Sequence, residues 1–170
     1  MPNRSAKHSA LQENCPCGTG RAFAVCCGPF LNGQATAPNA EALMRSRYTA
    51  FTRRHEAYLL ATWHASTRPA VLNLAADSAT KWIGLEVKRF EAGRAVGDIH
   101  GGISNGSGVS RAMDGSADSA IVEFVARYKT GGRAQRLQEI SRFVCEDGRW
   151  YYVAAVTSTP APAPPLARIP

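Results

Sequence analysis

Residues 120–156, AIVEFVARYKTGGRAQRLQEISRFVCEDGRWYYVAAV, decide the fold of this chain, because they predict three β-strands joined by two tight turns. The dipeptides at 131–132 (Gly-Gly) and 147–148 (Asp-Gly) are typical of two-residue hairpin turns. The runs between them are rich in the β-branched and aromatic side chains that favour strands. We therefore predict an antiparallel meander with strands at 120–129, 134–145 and 150–156.

The two turns also determine which side chains share a face of the sheet. They place Phe124 opposite Glu139 and Phe143 opposite Tyr152. One face then carries Val122, Phe124, Tyr128, Leu137, Glu139, Ser141, Phe143, Cys145, Trp150 and Tyr152. An unpaired carboxylate among aromatic rings is costly. Glu139 is therefore expected to be balanced by an arginine such as Arg47, by a proton or by a bound ligand.

Helical patterns come before these strands. Asn39 is a candidate N-cap, and Met44, Tyr48 and Phe51 recur at helical spacing after it. Further elements are predicted at about 55–63 (helix), 69–72 (short helix) and 83–87 (strand). Helices followed by antiparallel strands indicate an α+β domain.

Ahead of the helices, residues 14–28, NCPCGTGRAFAVCCG, contain two pairs of cysteines. Cys15 and Cys17 are separated by one residue, whereas Cys26 and Cys27 are adjacent. Adjacent cysteines bridge each other poorly, and a redox CxxC motif is absent. Four converging thiolates are the ligand set of a structural zinc site with no open position. We therefore predict one structural zinc ion per chain, held by these four cysteines in a knuckle too small to fold without metal.

The same stretch resembles the SEC-C motif, a small zinc module with the pattern CxC, eight residues, then CC or CH. The four cysteines fall on its ligand positions, Gly18-Thr19-Gly20 on its small-residue turn, and Phe23 on its usual aromatic residue. Arg21 is the only basic residue between the cysteine pairs, where the motif commonly has several lysines. The resemblance implies zinc binding, and the missing lysines weaken the case for a nucleic-acid or ribosome partner.

Most of the chain is similar to the YchJ-like family of bacterial proteins. The resemblance depends on the segments EALMRSRYTAF, YLLATWH, WIGLEV, VEFVARY, EISRF and GRWYYV, which follow the SEC-C motif in that order. It implies that the α+β domain is a nuclear transport factor 2-like (NTF2-like) cone, in which helices pack on a curved antiparallel sheet around a pocket. It implies no particular activity.

The chain is thus expected to consist of a knuckle, a cone and flanking segments. Turn-forming residues are frequent at 29–38, which predicts a linker between two separate cooperative units. Glycine and serine are frequent at 91–119, which predicts a flexible insertion in the cone. The predicted divisions are 1–13 (disordered N-terminus), 14–28 (SEC-C motif), 29–38 (linker), 39–157 (cone) and 158–170 (Pro/Ala-rich disordered tail).

The composition restricts the class of protein and its partners. The chain has 170 residues, of which 45% are hydrophobic, enough for one domain with a core. No run reaches the ~20 apolar residues of a membrane helix, and the first residues lack a signal-peptide pattern. We therefore expect a cytoplasmic protein with no membrane partner. The net charge is +7, but the basic residues are scattered, so nucleic acid or a ribosome is the less favoured partner.

Six side chains are candidates for a site in the cone pocket. Glu139 is a candidate base, with His64 or Tyr48 as its proton partner. The full set is Glu139, His64, Tyr48, Arg47, Trp63 and Ser141. Each also has a structural interpretation, with Glu139 paired to Arg47, His64 at a helix end and Tyr48 in the core. We favour the structural interpretation for this set.

Two functions are therefore compatible with the sequence. In the first, the protein is a zinc-dependent binding or adaptor module that recognises a protein or small ligand through the knuckle and the pocket. In the second, the pocket is the active site of a small-molecule enzyme of the isomerase, dehydratase or hydrolase type. Binding is the favoured alternative.

Overall fold

A four-stranded antiparallel sheet forms the framework of the domain. The computed structural model describes residues 13–75, 80–94 and 118–158. The strands are β1 (Thr80–Arg94), β2 (Asp118–Thr130), β3 (Arg133–Glu146) and β4 (Arg149–Ser158), and they are ordered β1-β2-β3-β4 in the sheet. Consecutive strands are therefore neighbours, which confirms the predicted meander and its two hairpin turns.

The register of the sheet also agrees with the prediction. Phe124 lies opposite Glu139, and Phe143 lies opposite Tyr152. Register shifts interrupt the pairing at Val87/Arg89 in β1, at two points between β3 and β4 and, as a β-bulge, between Trp82 and Gly84. The bulge turns Ile83 outward, so its side chain is 46% exposed although simple alternation would place it with the core residues.

The main helix, α2 (Ala40–Thr52), lies across one face of this sheet. Its predicted N-cap is confirmed, because the Asn39 side chain accepts a hydrogen bond from the backbone N–H of Ala42 at 2.8 Å. The first core cluster lies between α2 and the sheet. Its buried members are Ala37, Ala40, Leu43, Met44, Tyr48, Leu85, Ala120, Val122, Phe124, Ala126 and Phe143.

A shorter helix, α3 (Glu56–Ala61), follows α2. The predicted third helix at 69–72 is wrong, since the segment around Leu72 is irregular. Instead, the Glu56 carboxylate accepts hydrogen bonds from the backbone N–H groups of Leu72 (2.9 Å) and Leu74 (3.3 Å). A carboxylate thus provides the acceptors that helical carbonyls would otherwise provide.

The cysteine knuckle packs directly on α2. The Arg45 guanidinium donates a hydrogen bond to the Cys17 carbonyl at 2.9 Å, and the Arg53 guanidinium lies 3.7 Å from the centre of the Phe23 ring. A second core cluster joins the knuckle to the helices. Its buried members are Cys15, Cys17, Cys27, Leu31, Ala50, Leu59, Leu72 and Leu74. The knuckle therefore shares its apolar contacts with the helical layer.

The boundaries of two predicted segments differ from the structure. The predicted linker at 29–38 begins inside a short helix, α1 (Gly28–Leu31), whose last residue is buried. β1 continues to Arg94 and β2 begins at Asp118, so both ends of the predicted 91–119 insertion are strand residues. The rest of that insertion, residues 1–12 and residues 159–170 lie outside the described residues. Among the helices that the structure describes, none has the length and apolar character to cross a membrane.

Candidate metal centre and cone interior

The sulfur atoms of the four clustered cysteines converge on one point. Every pair of Sγ atoms lies within 4.8 Å, and those of Cys17 and Cys26 are 3.5 Å apart. A tetrahedral ion with Zn–S bonds of ~2.3 Å would hold its sulfurs roughly 3.8 Å apart. Cys15, Cys17 and Cys27 are buried, and Cys26 is partly exposed. None of the five cysteines of the chain forms a disulfide. The four residues are thus positioned to hold a metal ion.

Local backbone geometry brings the two cysteine pairs together. The Cys15 N–H donates to the Arg21 carbonyl at 2.8 Å, which closes a loop around the first pair. Within this loop Gly18 has a φ of +81°, a backbone conformation that residues other than glycine rarely adopt. A single 3₁₀ turn, Phe23–Val25, then reverses the chain so that Cys26 and Cys27 face the loop.

Two threonines contact the thiol cluster, and the sequence analysis missed both. Thr19 Oγ1 lies 3.3 Å from the sulfurs of both Cys17 and Cys26, and Thr49 Oγ1 lies 3.7 Å from that of Cys15. Hydroxyl groups at this distance orient ligating sulfurs and modulate their basicity. Arg45 and Thr49 lie four residues apart on one face of α2, but spacing alone does not show that the knuckle packs on that face.

The four thiols do not ionise independently. The pKa of Cys15 is lowered, chiefly by its hydrogen bond with the Cys17 thiol. The pKa values of Cys17 and Cys27 are raised, chiefly by their hydrogen bonds with Cys15. One thiolate is therefore stabilised by neighbours that keep their protons. All four can be thiolates together only if a bound cation balances their charge, as a metal ion does.

The cone interior contains a buried cation, Arg47. Its side chain is 2% exposed, and Nη1 donates hydrogen bonds to the Leu59 carbonyl at 2.7 Å and to Thr62 Oγ1 at 2.8 Å. The guanidinium lies 5.0 Å from the ring centre of Trp63 and 4.6 Å from that of Tyr152. Burial lowers the pKa of Arg47 to about 10. Because that value is far above neutrality, Arg47 is a positive charge held between two aromatic faces.

Glu139 is the acidic member of this interior group. Ser141, which is fully buried, donates a hydrogen bond from Oγ to Glu139 Oε1 at 2.5 Å. Burial raises the pKa of Glu139, and the charge of Arg47 opposes that rise. The expected Arg47–Glu139 pair is not a direct ion pair among the described residues, so the two charges interact across a distance.

Tyr152 is a member of the interior group that the sequence analysis did not single out. Burial raises the pKa of its hydroxyl, and the charge of Glu139 raises it further. The predicted register was a usable signal here, because it already placed Tyr152 opposite Phe143 on the face that carries Glu139. The structure thus brings together Arg47, Trp63, Glu139, Ser141 and Tyr152.

The other two candidates lie elsewhere. His64 accepts a hydrogen bond at Nδ1 from the Ser66 N–H, and its Nε2 lies 3.0 Å from a Glu146 carboxylate oxygen at the protein surface. Tyr48 is buried edge-on against Trp82, with ring centres 5.6 Å apart, and burial raises its pKa to about 12. Neither side chain is grouped with Glu139, so the predicted acid–base pairs of Glu139 with His64 or Tyr48 are not formed.

Comparison with known protein families agrees with this architecture. Residues 13–29 match the SEC-C motif. Residues 39–100 and 108–155 match the family described as YchJ, middle NTF2-like domain. The two matches correspond to the knuckle and to the helix-and-sheet domain described above.

Relatives and solved structures cover most of the chain. A UPF0225 protein from Chromobacterium violaceum is 51% identical over 85% of this chain and 93% of its own length. A UPF0225 protein from Xanthomonas campestris is 46% identical over 86% of this chain and 97% of its own length. The solution structure of a SEC-C motif containing protein from Rhodopseudomonas palustris is 30% identical and superimposes with a TM-score of 0.64, covering 84% of this chain and 97% of that one. The chain therefore belongs to the YchJ-like family, with an N-terminal SEC-C motif followed by an NTF2-like α+β domain.

Proposed function

We propose that the protein is a zinc-containing binding module in which the metal has a structural role. The observation that supports this role is the convergence of four cysteine sulfurs within 4.8 Å. Zinc would be held by Cys15, Cys17, Cys26 and Cys27, and it would supply a positive charge and a crosslink between the two halves of the knuckle. Four protein ligands leave no open position, so catalysis at the metal is not part of the proposal.

Metal content tests the zinc assignment. Protein purified without added metal is expected to contain about one zinc ion per chain. Substituting both Cys26 and Cys27 with serine should abolish that content, whereas Cys145→Ser should preserve it, because Cys145 lies on β3 outside the cluster. Retention of one zinc by the double variant, or the finding of a different resident metal in the parent, would refute the assignment.

The binding role is supported by the chemistry of the cone interior. Arg47 is a buried cation between aromatic rings, and no carboxylate in the described part of the chain forms a direct ion pair with it. A guanidinium in such a desolvated setting complements an anionic or polar group of a small ligand or a peptide. We place the protein in the cytoplasm, where a reducing thiol pool would keep the four cysteines available for metal.

An enzyme of the isomerase, dehydratase or hydrolase type is the second candidate. The raised pKa of Glu139 favours it, because a buried carboxyl of this kind can act as a general acid or base. Glu139→Gln removes the titrating proton with little change in shape. If a small-molecule activity were found, that variant should lose it while still binding the substrate. Binding without turnover by the parent would leave the first candidate in place.

A further inference from the structure

A groove opens on the helical side of the domain, next to the segment that follows the second cysteine pair. It has a volume of about 380 Å³ and lies between the segment that follows the knuckle, α2, α3 and the first residues of β4. This volume is within the ~300–1,000 Å³ of small-molecule sites. We call it the α3 groove and define it by Phe30, His55, Tyr58, Ala61, Arg149 and Trp150.

Aromatic side chains form the walls of the α3 groove, and small side chains cover the part of α3 that faces it. Phe30, Tyr58 and Trp150 provide flat apolar surface from three separate elements. Ala57 and Ala61 are four residues apart on α3, so their small side chains lie on the same face and leave space above the helix. Rings arranged in this way suit a planar apolar body.

Three side chains around the groove offer hydrogen-bond donors. Arg149 is exposed, its guanidinium lies 6.0 Å from the ring centre of Tyr151, and no carboxylate in the described part of the chain forms an ion pair with it. His55 Nδ1 accepts the Tyr58 N–H at 3.2 Å, which leaves the proton of a neutral ring on Nε2.

Trp150 adds a third donor. Its indole N–H has no protein acceptor among the described residues. In that part of the chain, no fully buried side-chain nitrogen or oxygen lacks a hydrogen-bond partner, so this N–H is accessible to a ligand or to solvent.

The charge around the groove is positive. No aspartate or glutamate is among its lining residues, whereas Arg149 is. Thr62, another lining residue, accepts a hydrogen bond from the buried Arg47 guanidinium, which places a second cation directly behind the wall. Aromatic walls, three donors and two cations therefore combine in one cavity, and this combination complements a ligand with a negative charge on a flat apolar body.

We infer that the α3 groove binds a small aromatic carboxylate, with the ring between Phe30, Tyr58 and Trp150 and the carboxylate at Arg149. This inference rests on the proposed binding role and names its ligand class. Zinc content is measured separately on the same samples, so a failure of this inference in zinc-containing protein is distinguishable from a failure of the zinc assignment.

The test is a titration of the full-length, isotope-labelled protein, as purified, with 1-naphthoate and with the neutral isostere 1-naphthamide, followed by NMR. We expect 1-naphthoate to bind at least about tenfold more tightly than the amide and to shift the indole N–H signal of Trp150. Arg149→Gln should bring the two affinities together. Arg142→Gln, which removes an exposed arginine elsewhere on the sheet, should keep the preference.

A second variant tests the location of the site. Ala61→Leu places a larger side chain in the groove and should abolish binding of both compounds. If the NMR spectrum of Ala61→Leu is not that of a folded protein, Ala57→Leu is used in its place. Equal affinity of the parent for both compounds, or binding of neither at millimolar concentration, would overturn the inference. So would an unchanged preference in Arg149→Gln, or signal changes confined to Arg47, Glu139 and Tyr152.

Discussion

The thiol cluster and the cone interior are both polar sites within an apolar core, but they are assembled differently. All four thiols come from residues 14–28, so spacing along the chain is enough to predict them. The interior group comes from α2, the chain after α3, β3 and β4, and it exists only because the sheet register aligns Glu139, Ser141 and Tyr152 beneath Arg47. The knuckle is a local feature of the sequence, whereas the interior group is a feature of the topology.

Removal of the buried cation should have the largest effect on the interior group. Arg47→Met keeps the length of the side chain but leaves the Leu59 carbonyl and Thr62 without their charged donor. The loss of two charge-assisted hydrogen bonds and of the contacts with Trp63 and Tyr152 should reduce the free energy of unfolding by about 3 kcal/mol. Denaturant unfolding would measure this, with Arg142→Met, at an exposed position, expected within about 0.5 kcal/mol of the parent. Equal stability of Arg47→Met and the parent would contradict the account of the interior.

The contact between knuckle and sheet can be tested with a matched pair of glycines. Gly18 has a φ of +81°, and a Cβ at that position would lie 2.5 Å from the Leu85 carbonyl oxygen of β1. Gly20 has a φ of +74°, and no atom would lie within 4 Å of its Cβ. Gly20→Ala should therefore reduce the free energy of unfolding by about 1 kcal/mol, because alanine adopts a positive φ poorly. Gly18→Ala should reduce it by at least about 1 kcal/mol more, because its Cβ also meets the carbonyl oxygen. Thermal unfolding of zinc-loaded samples would compare them. Identical losses of stability in the two variants would mean that the knuckle does not pack closely against β1.

The smallest expected effect is on the pH dependence of stability. Burial raises the pKa of Glu139 above its ordinary value of 4.5, so the fold favours the protonated form. The stability that this group contributes is present below pH 4.5 and is lost as the pH rises through the raised pKa. Glu139→Gln cannot titrate, so its stability relative to the parent should increase over that interval. Unfolding curves of both proteins from pH 4 to pH 8 would show this. If the stability of Glu139→Gln relative to the parent fell as the pH rose, the fold would lower the pKa of Glu139 and not raise it.

The sequence predicted the fold well where local chemistry determines it. The hairpin turns at 131–132 and 147–148 fixed the register, and Asn39 marked the start of α2. Prediction failed at 69–72, because the Glu56 carboxylate that organises this segment lies 16 residues before Leu72. The exposure of Ile83 was not predictable, because a bulge in a paired strand leaves no reliable trace in the alternation of a single strand.

The candidate site was predictable to a smaller extent. The four cysteines were identified from spacing, but their contact with Thr49 depends on how the knuckle docks on α2. Glu139 and Ser141 were correctly placed on one face by the register, whereas the separation of His64 and Tyr48 from them follows from how the helices pack on the sheet. Tertiary packing of this kind is not encoded in the spacing of residues along one element.

The packing of the knuckle leads to the central claim, that the four-cysteine cluster is part of the helical core and not an appended module. The linker at 29–38 predicted separate units, but Cys15, Cys17 and Cys27 share a buried cluster with Ala50 and Leu59. Removal of the metal should therefore expose that cluster and loosen the helices that cover it.

Amide hydrogen exchange with and without a zinc chelator tests this claim most directly. The account predicts that residues 14–28 and the second half of α2, which carries Thr49 and is followed by Arg53, lose protection together when the metal is removed. Loss of protection confined to residues 14–28, with α2 as protected as before, would contradict it.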